Sequence, residues 1–485
     1  CILLTHAHID HSGLIPLMYV NGFRGQVYST SATAQLCEIM LRDSAHIQMF
    51  EAEWRNRKAA RSGGKLKEFV PLYDMDAAVN VCKQFVGCEY DRVYDIAEGI
   101  KIRFTDVGHL LGSASIEVWA TEKTENGDVT EKIVFSGDIG NINKPIIKDP
   151  KHVRDADYIV MESTYGNRSH GGTPNYVEDL TDIFKRTFER GGNVVIPSFA
   201  VGRTQELLYI IRKIKEDNLV GRDFDVYMDS PLAIEATNIF IKNVESCFDD
   251  EAVELVRKGI NPLSFPGLKY ATTGDESKQI NFDPNPKVII SSSGMCEAGR
   301  IRHHLKHNLW RPECTIVFVG YQAVGTTGRI IVDGAEEIKL FGEPIQIKAE
   351  IVQLKGSSGH ADKDGLLCWI NAFDTKPKKV FVVHGEDSVC DEFTECLKEE
   401  YGYDAMAPYT GGSYDLIADR VISEGVKERK TRRTTSTQRG KTVFDRLVAA
   451  GKRLMTVITH NEGGTNKDLA KFTDQINALC DKWDR

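Results

Sequence analysis

The sequence lacks any apolar run long enough to span a bilayer, which argues against an integral membrane protein. Its eleven cysteines form no C-x-x-C pair and show no repeated spacing. An odd, scattered set of cysteines favours reduced thiols in the cytoplasm over a disulfide framework. Basic residues are not in excess either, because the net charge is −9. Nucleic acid is therefore not expected to cover the whole surface, although a local basic groove is compatible with this charge.

The length and the hydrophobic content are sufficient for a large globular core. The 485 residues, 41% of them hydrophobic, correspond to about three domains at roughly 150 residues each. The chain begins at Cys1, and Ile2-Leu3-Leu4 already has the composition of a strand interior. We therefore expect the sequence to be a fragment, from which no N-terminal targeting signal can be inferred.

Short β-branched runs alternate with helical segments in the first part of the chain, to about Thr164. The predicted strands there are Ile2–Thr5, Ile102–Thr105, Lys132–Phe135 and Tyr158–Met161. Each stops at a polar residue, such as His6 or Glu162, and strand ends that meet polar loops are where α/β proteins place their chemistry.

From about Thr173 the pattern changes to strand, helix, strand, which indicates a parallel α/β unit. The predicted elements are helices at Tyr176–Arg190 and Thr204–Glu216 and strands at Asn193–Pro197, Asp225–Met228, Val288–Ser291 and Thr315–Val319. Strands at Glu350–Leu354 and Lys379–Val383 then return to the earlier style. The middle of the chain is therefore predicted to be an insertion between two halves of one domain.

A basic, hydroxyl-rich stretch after about Gly425 is predicted to be a linker. Beyond it, apolar residues recur every three or four positions, which predicts a helix with one apolar face. These residues are Leu469, Phe472, Ile476, Leu479 and Trp483. Such a face usually packs on its own domain, and a homodimer contact is the alternative interpretation.

The densest group of potential metal ligands is His6-Ala7-His8-Ile9-Asp10-His11, directly after a predicted strand. Alternation along an extended chain sends His6 and His8 to the same side, and a turn at Asp10-His11 can aim these two at a second point nearby. Imidazole and carboxylate together suit a zinc ion that keeps a position open for water. A polar loop that only caps a helix with Asp10 would not explain three histidines.

Further candidate ligands follow other predicted strands. They are His109 in Gly108-His109-Leu110, Asp138 in Ser136-Gly137-Asp138, and His384 in Val383-His384-Gly385-Glu386. A lone histidine is more often structural, and a Gly-Asp pair is more often a turn. Together, in this order behind the first cluster, they indicate a two-metal site.

These segments resemble the metallo-β-lactamase superfamily, and more narrowly its β-CASP branch of RNA and DNA nucleases. That branch includes the endonuclease of eukaryotic pre-mRNA 3′-end processing and ribonuclease J. The narrower motifs are Met161-Glu162-Ser163-Thr164-Tyr165-Gly166, Ser358-Gly359-His360-Ala361-Asp362 and the segment around His384. The similarity covers the chain from Cys1 to about Gly412.

The resemblance implies an α/β fold: a metallo-β-lactamase αββα sandwich with an inserted parallel-sheet β-CASP domain. It implies a metallo-β-lactamase domain over residues 1–166 and 350–415, a β-CASP domain over 167–349, and a basic linker with a helical segment over 416–485. The family's first domain normally begins with several further strands before the His-rich loop. We therefore expect the chain to be N-terminally truncated, and to bind metal poorly or fold badly because those strands are missing.

The resemblance also implies a set of ligands for two Zn²⁺ ions, with Mn²⁺ as an alternative metal. The first ion would be held by His6, His8 and His109, the second by Asp10, His11 and His384, with Asp138 bridging the two. The implied reaction is hydrolysis of RNA by a hydroxide that bridges the metals, internally or stepwise from the 5′ end. His360 would donate a proton to the leaving oxygen, oriented by Glu162, so that the catalytic residues are His360, Glu162 and Asp138.

RNA contacts are predicted at strand-end loops. Ser198 and Arg203 lie between a predicted strand and a predicted helix, where backbone amides and a guanidinium can meet a phosphate. Ser293 lies in a similar loop, and Ser358 begins the motif that contains His360. The alternative interpretation is that small residues only turn the chain and that basic residues are only solvated.

Two other functions are compatible with parts of this pattern. A small-molecule hydrolase of the same superfamily, acting on esters or lactams, would share the first metal cluster but is not expected to carry the large insertion. A catalytically silent RNA-processing scaffold would not need every ligand position to be occupied, as they are here. A metal-dependent ribonuclease in the cytoplasm is therefore the predicted function.

Overall fold

The computed structural model describes residues 1–61, 68–125, 127–169, 171, 175–354 and 358–427, and, nearer the C-terminus, 451, 454–455, 457–459, 461 and 466–483. The chain divides into two compact units, 1–424 and 425–485. Among the described residues, no helix is both long enough and apolar enough to cross a membrane.

The strands all lie in the first unit as far as the structure describes the chain. They are β1 (Ile2–Leu3), β2 (Val27–Thr30), β3 (Phe85–Cys88), β4 (Val93–Ala97), β5 (Ile100–Asp106), β6 (Ala114–Thr124), β7 (Gly127–Phe135), β8 (Tyr158–Glu162), β9 (Val194–Pro197), β10 (Asp225–Asp229), β11 (Leu268–Tyr270), β12 (Lys287–Ser291), β13 (Thr315–Phe318), β14 (Glu337–Leu340), β15 (Glu343–Gln346), β16 (Glu350–Gln353), β17 (Lys379–Val383), β18 (Ala405–Met406), β19 (Ser413–Asp415) and β20 (Arg420–Ser423).

The helices of the first unit are distributed between these strands. They are α1 (Ile9–Ser12), α2 (Ile15–Val20), α3 (Ser31–Arg61), α4 (Met75–Cys82), α5 (Tyr176–Glu189), α6 (Arg203–Glu216), α7 (Pro231–Lys242), α8 (Val244–Cys247), α9 (Asp250–Arg257), α10 (Gly274–Phe282), α11 (Ile301–Asn308), α12 (Thr327–Val332), α13 (Lys363–Ile370) and α14 (Asp387–Glu399).

A seven-stranded mixed sheet has the order β18-β17-β8-β7-β6-β5-β4. The strands β18, β17, β8 and β7 run parallel, and β6, β5 and β4 extend the sheet by antiparallel pairing. The three-stranded parallel sheet β1-β2-β3 meets it where the Ala114 N–H donates to the Thr5 carbonyl over 2.9 Å. Because β5, β7, β8 and β17 run in one direction, the loops that follow them gather along one edge.

A six-stranded sheet, all parallel, has the order β11-β10-β12-β9-β13-β16. Its central strands β9 and β12 are buried along their whole length, as expected of a parallel sheet covered on both faces. Helix α5 begins where the Asn175 side chain accepts the Glu178 N–H, and it buries Leu180, Ile183 and Phe184. These contacts hold α5 against the apolar core that the sheet provides.

The structure assigns one predicted strand to a different sheet from the one expected. The predicted strand Glu350–Leu354 was expected to begin the second part of the metallo-β-lactamase domain. The observed strand at this position, β16, instead pairs in parallel with β13 in the six-stranded sheet. An apolar strand pattern shows that a segment is extended, and it does not show which sheet the segment joins. The six-stranded sheet therefore ends at Gln353, a few residues beyond the expected boundary at 349.

The other predicted elements lie close to their observed bounds. Strand β17 coincides with the predicted Lys379–Val383, and helices α5 and α6 match their predictions to within one residue at each end. The basic stretch from Arg429 to Lys441 lies outside the described residues. In the second unit, helix α15 (Asn466–Trp483) occupies the predicted C-terminal helix, and the homodimer contact stays a prediction.

Candidate metal centre

The His-rich loop leads from β1 into the short helix α1. The chain turns directly after His8, where the Ser12 hydroxyl donates to the Ala7 carbonyl over 2.9 Å. The turn divides the ligand candidates of the loop into two sets. His6 and His8 belong to one set, and Asp10 and His11 to the other.

The first donor group consists of His6, His8 and His109 with one oxygen of Asp138. The Nδ1 atom of His8 lies 3.1 Å from Nε2 of His6 and 3.1 Å from Nε2 of His109. The Oδ2 atom of Asp138 lies 3.2 Å from Nε2 of His6 and 3.5 Å from Nε2 of His109. Four side chains from three separate loops therefore converge on one point.

The second donor group consists of Asp10, His11 and His384 with the other oxygen of Asp138. The Nε2 atoms of His11 and His384 are 3.0 Å apart, and each lies 3.7 Å from Oδ2 of Asp10. The Oδ1 atom of Asp138 lies 3.3 Å from Nε2 of His11 and 3.6 Å from Nε2 of His384. The Asp138 carboxylate thus stands between the two groups, with one oxygen in each.

The charges of these side chains are those that metal ligands need. Burial lowers the pKa of His6, lowers that of His8 to about 3, and lowers that of His109 well below its usual value, so these imidazoles are neutral. Burial would raise the pKa of Asp138, but its contacts with His11 and His6 outweigh burial and hold the pKa far below the ordinary range. His384 is the exception, because its contact with Asp10 raises its pKa to about 9. A metal ion in the second group would have to displace the proton of His384.

The separations within each donor group test whether these residues fit a metal ion. Ligand atoms about 2.0–2.1 Å from a tetrahedral ion lie about 3.3 Å from one another. The separations given above range from 3.0 to 3.7 Å. The Asp138 side chain is only 2% exposed, and its Oδ1 makes no hydrogen bond of acceptable geometry among the described residues. A buried carboxylate oxygen left without a hydrogen-bond donor needs another partner, and the donor groups therefore fit metal binding.

The outer nitrogens of the imidazoles fix the direction of their lone pairs. His109 Nδ1 donates to the Gly359 carbonyl over 3.1 Å, so its Nε2 presents a lone pair to the first group. His384 Nδ1 lies 3.1 Å from the Thr164 hydroxyl, which itself donates to the His384 carbonyl, and His6 Nδ1 lies 3.1 Å from the Thr5 hydroxyl. Such partners orient metal-binding histidines.

These outer partners were not predicted from the sequence. Thr5 directly precedes the His-rich motif and Thr164 lies within the motif that contains Glu162, so a search for hydroxyl residues in and next to these motifs would have found them. The Gly359 carbonyl is a backbone group and leaves no residue signature. His384 also has a φ of 54°, in the left-handed region that non-glycine residues rarely adopt, and strain of this kind is concentrated at functional sites.

His360 and Glu162 lie beside the first donor group. His360 Nδ1 is 3.1 and 3.2 Å from the two Glu162 oxygens, and its Nε2 is 3.9 Å from Oδ2 of Asp138. Glu162 is 1% exposed, and its oxygens also accept the N–H groups of Ile139 and Thr164. Burial alone would lower the pKa of His360, but Glu162 outweighs burial and raises it. The Glu162 carboxylate therefore favours the charged form of the imidazole that faces the donor groups.

The predicted RNA contacts all make hydrogen bonds or ion pairs within the protein. Buried Ser198 accepts the Thr204 hydroxyl, and Ser293 donates to the Ala298 carbonyl. Ser358 Oγ accepts the His360 N–H over 3.1 Å, which ties it to the site. Arg203 pairs with Glu206 in the first turn of α6. The Ser198 N–H also donates to the Ser291 carbonyl, which joins the ends of two neighbouring strands of the parallel sheet. Contact of the four predicted residues with RNA stays a prediction.

Comparison with known proteins relates this site to a family. Residues 204–331 match the Beta-Casp domain, and residues 344–408 match the Zn-dependent metallo-hydrolase RNA specificity domain. Ribonuclease TTHA0252 of Thermus thermophilus is 33% identical over 386 residues, which cover 80% of this chain and 81% of that protein. The chain belongs to the β-CASP family of metallo-β-lactamase-fold RNA nucleases.

Other β-CASP relatives agree with this assignment. The RNase J-like protein of Methanocaldococcus jannaschii is 31% identical over 389 residues, or 79% of this chain and 81% of that protein. The transcription termination factor FttA of Methanosarcina mazei is 32% identical over 416 residues, and the match spans 61% of its length. The predicted fold, a metallo-β-lactamase domain with an inserted β-CASP domain, is confirmed, and the chain is a metal-dependent RNA hydrolase.

Proposed function

We propose that this β-CASP protein cleaves RNA phosphodiester bonds with two zinc ions, which the two donor groups would hold, with Asp138 contributing one oxygen to each group. The observation that carries the proposal is the meeting of the two donor groups at Asp138, with His360 and Glu162 beside them. When bound, such ions lower the pKa of water to supply a nucleophile and offset the charge of the phosphate. Mn²⁺ is the alternative metal, since histidine and carboxylate also hold it.

His360 supplies the proton that the leaving oxygen needs. Glu162 holds Nδ1, so Nε2 faces the donor groups with the proton to be transferred. During hydrolysis the oxygen of water bonds to phosphorus, the bond from phosphorus to the 3′-oxygen breaks, and the Nε2 proton moves to that oxygen. The water releases one proton to solvent, and His360 takes up one proton from solvent before the next turnover. The products are a 5′-phosphate and a 3′-hydroxyl. Glu162 acts by favouring the charged form of the imidazole, which is the form that can donate.

The substrate class is RNA, cleaved internally, with stepwise cleavage from the 5′ end as the alternative mode. None of the steps above uses the 2′-hydroxyl, so the chemistry alone does not select RNA. Support for RNA comes from the match to an RNA specificity domain at 344–408 and from relatives named ribonucleases. The proposed substrate contacts are Ser198, Arg203, Ser293 and Ser358.

We assign the metallo-β-lactamase domain to residues 1–166 and from about 354 to 415, and the β-CASP domain to the segment between them. The hairpin of β19 and β20 continues the first unit to residue 424, beyond the predicted boundary at 415. The basic linker and the helical segment are proposed for the chain after that residue. The upper bound of the β-CASP domain rests on β16, which extends the parallel sheet to Gln353. The match to the Beta-Casp domain at 204–331 falls inside this insertion.

The test is cleavage of a single-stranded RNA labelled at its 5′ end by the zinc-loaded protein. The His360→Ala variant and a chelator-treated sample run beside it, and His46→Ala serves as the matched control because His46 is an exposed histidine on α3. We expect internal fragments from the wild type and from His46→Ala, and their loss in the other two samples. Zinc bound without any RNA cleavage would contradict the proposal.

A further inference from the structure

A buried cluster of charged side chains lies where helix α6 meets the loop that follows Asp138. The Lys144 ammonium is 3.2 Å from Oε1 of Glu206 and donates to the His109 carbonyl over 3.0 Å. Glu206 also pairs with Arg203 through its other oxygen. The Lys144 and Glu206 side chains are only 11% and 10% exposed, so the cluster is screened from water and its geometry is held tightly.

The cluster connects the two large sheets of the first unit. Lys144 and His109 lie in loops of the seven-stranded sheet, between β7 and β8 and between β5 and β6. Glu206 lies in the first turn of α6, directly after β9 of the parallel sheet, and inside the segment that matches the Beta-Casp domain. The Lys144 side chain therefore links Glu206 directly to the backbone of a metal-ligand candidate.

Lys144 contacts both the Glu206 carboxylate and the His109 carbonyl, and the charges of the cluster indicate which of the two contacts requires it. Arg203 already pairs with Glu206, so Lys144 adds a second cation to a single carboxylate. A buried cation that is not needed to neutralise its surroundings costs free energy unless its N–H groups find acceptors. The acceptor that Lys144 finds is the backbone oxygen of His109. The imidazole of the same residue is held from the other side by Gly359.

We propose that Lys144 is a positioning residue for the metal centre, which holds the backbone of His109 so that Nε2 stays in the first donor group, with Glu206 anchoring it to the β-CASP domain. The inference rests on the proposed metal-binding function, although not on RNA cleavage. Outer partners of metal-binding histidines typically change metal affinity by about 10- to 100-fold when removed. Lys144 acts on the backbone of the ligand, so we expect the lower end of this range.

The test is the zinc affinity of Lys144→Met, measured by competition with a chromophoric chelator rather than by activity. We expect the affinity of one of the two ions to fall about 10-fold. Lys144→Arg, whose guanidinium can still donate to the His109 carbonyl, should restore most of it. Glu206→Gln should weaken zinc binding less than Lys144→Met, and the double variant should bind no more weakly than Lys144→Met, since Glu206 acts through Lys144.

The matched control is Lys287→Met in the parallel sheet. Lys287 is 1% exposed and also donates to a backbone carbonyl, that of Asp283, but it lies at the start of β12. We expect this variant to lose thermal stability and to keep the wild-type zinc affinity. The inference is overturned if Lys144→Met lowers the melting temperature as Lys287→Met does while both ions keep their affinity, or if the Glu206 and Lys144 effects simply add.

The failure of this inference can be told apart from the failure of the proposed function. A wild type that binds two zinc ions but leaves RNA intact would contradict the proposed function, and the effect of Lys144→Met on zinc affinity would still be measurable. If Lys144→Met fails to fold, the zinc affinities of Glu206→Gln and Lys144→Arg test whether the cluster positions His109. Zinc affinity unchanged in Glu206→Gln would then refute the link to α6.

Discussion

Replacing Glu162 by Gln tests the role of His360 without removing the imidazole. The change keeps the shape of the side chain but removes the negative charge 3.1 Å from His360 Nδ1. An opposite charge within about 4–6 Å favours the charged form of its neighbour. The pKa of His360, which Glu162 raises, should therefore fall in Glu162→Gln relative to the wild type carrying the same metal.

The direction of the pH effect follows from the role of His360 as an acid. The imidazole donates its proton only below its pKa, so activity declines as the pH rises through that value. In Glu162→Gln the decline should move to lower pH, and kcat near neutral pH should fall on the order of 10- to 100-fold. The measurement is kcat for RNA cleavage from about pH 5.5 to about pH 9, a range that brackets the titration of histidine.

Glu162→Gln should also reduce stability, for a reason visible in the structure. The two carboxylate oxygens accept N–H groups from Ile139 and Thr164, so the amide of Gln must turn its NH₂ toward one donor or the other. The mismatch should cost about 1–3 kcal/mol. The control is Glu131→Gln, a buried carboxylate paired with Lys378, which should lose stability without moving the pH profile. A Glu162→Gln profile superimposable on that of the wild type would show that Glu162 does not raise the pKa of a catalytic His360.

Three further predictions concern the metals and the junction between the sheets. Asp138→Asn should reduce the zinc content measured by mass spectrometry, because its two oxygens serve both donor groups, whereas Asp229→Asn, a carboxylate equally buried in the parallel sheet, should keep it. Chelation should lower the melting temperature, and zinc at about 1,000 times its Kd should restore about 4 kcal/mol; equal melting with and without zinc would contradict a folded-state site. Gly202→Ala should destabilise the protein by about 1–3 kcal/mol, because Gly202 has a φ of 85° and an added Cβ would lie 3.0 Å from the Leu110 side chain. Thermal unfolding measures this loss, and an unchanged melting temperature would show that the position tolerates a side chain.

The sequence allowed the strand ends and their polar residues to be predicted well. A run such as Lys379–Val383 is recognisable because its residues are β-branched and apolar, and the residue that follows it, His384, is recognisable by type. Local composition determines both features, so neither requires knowledge of which strands pair. The α/β class and the two-part division of the His-rich loop were predictable for the same reason.

The features that depend on distant pairing were not predictable from one sequence. The 31-residue helix α3 and the assignment of β16 to the parallel sheet both result from packing against segments far along the chain. The contact between Lys144 and the His109 carbonyl joins a side chain to a backbone oxygen 35 residues away. The residue types at positions 109 and 144 do not predict that contact, because every residue has a backbone carbonyl that could accept it.

The most direct test of the account is anomalous diffraction at the zinc edge from crystals grown with zinc. We predict two peaks about 3.5–4 Å apart, one against His6, His8 and His109 and the other against Asp10, His11 and His384, with Asp138 between them. A single peak, or two peaks that do not share Asp138, would contradict the claim that the carboxylate joins two donor groups into one metal centre.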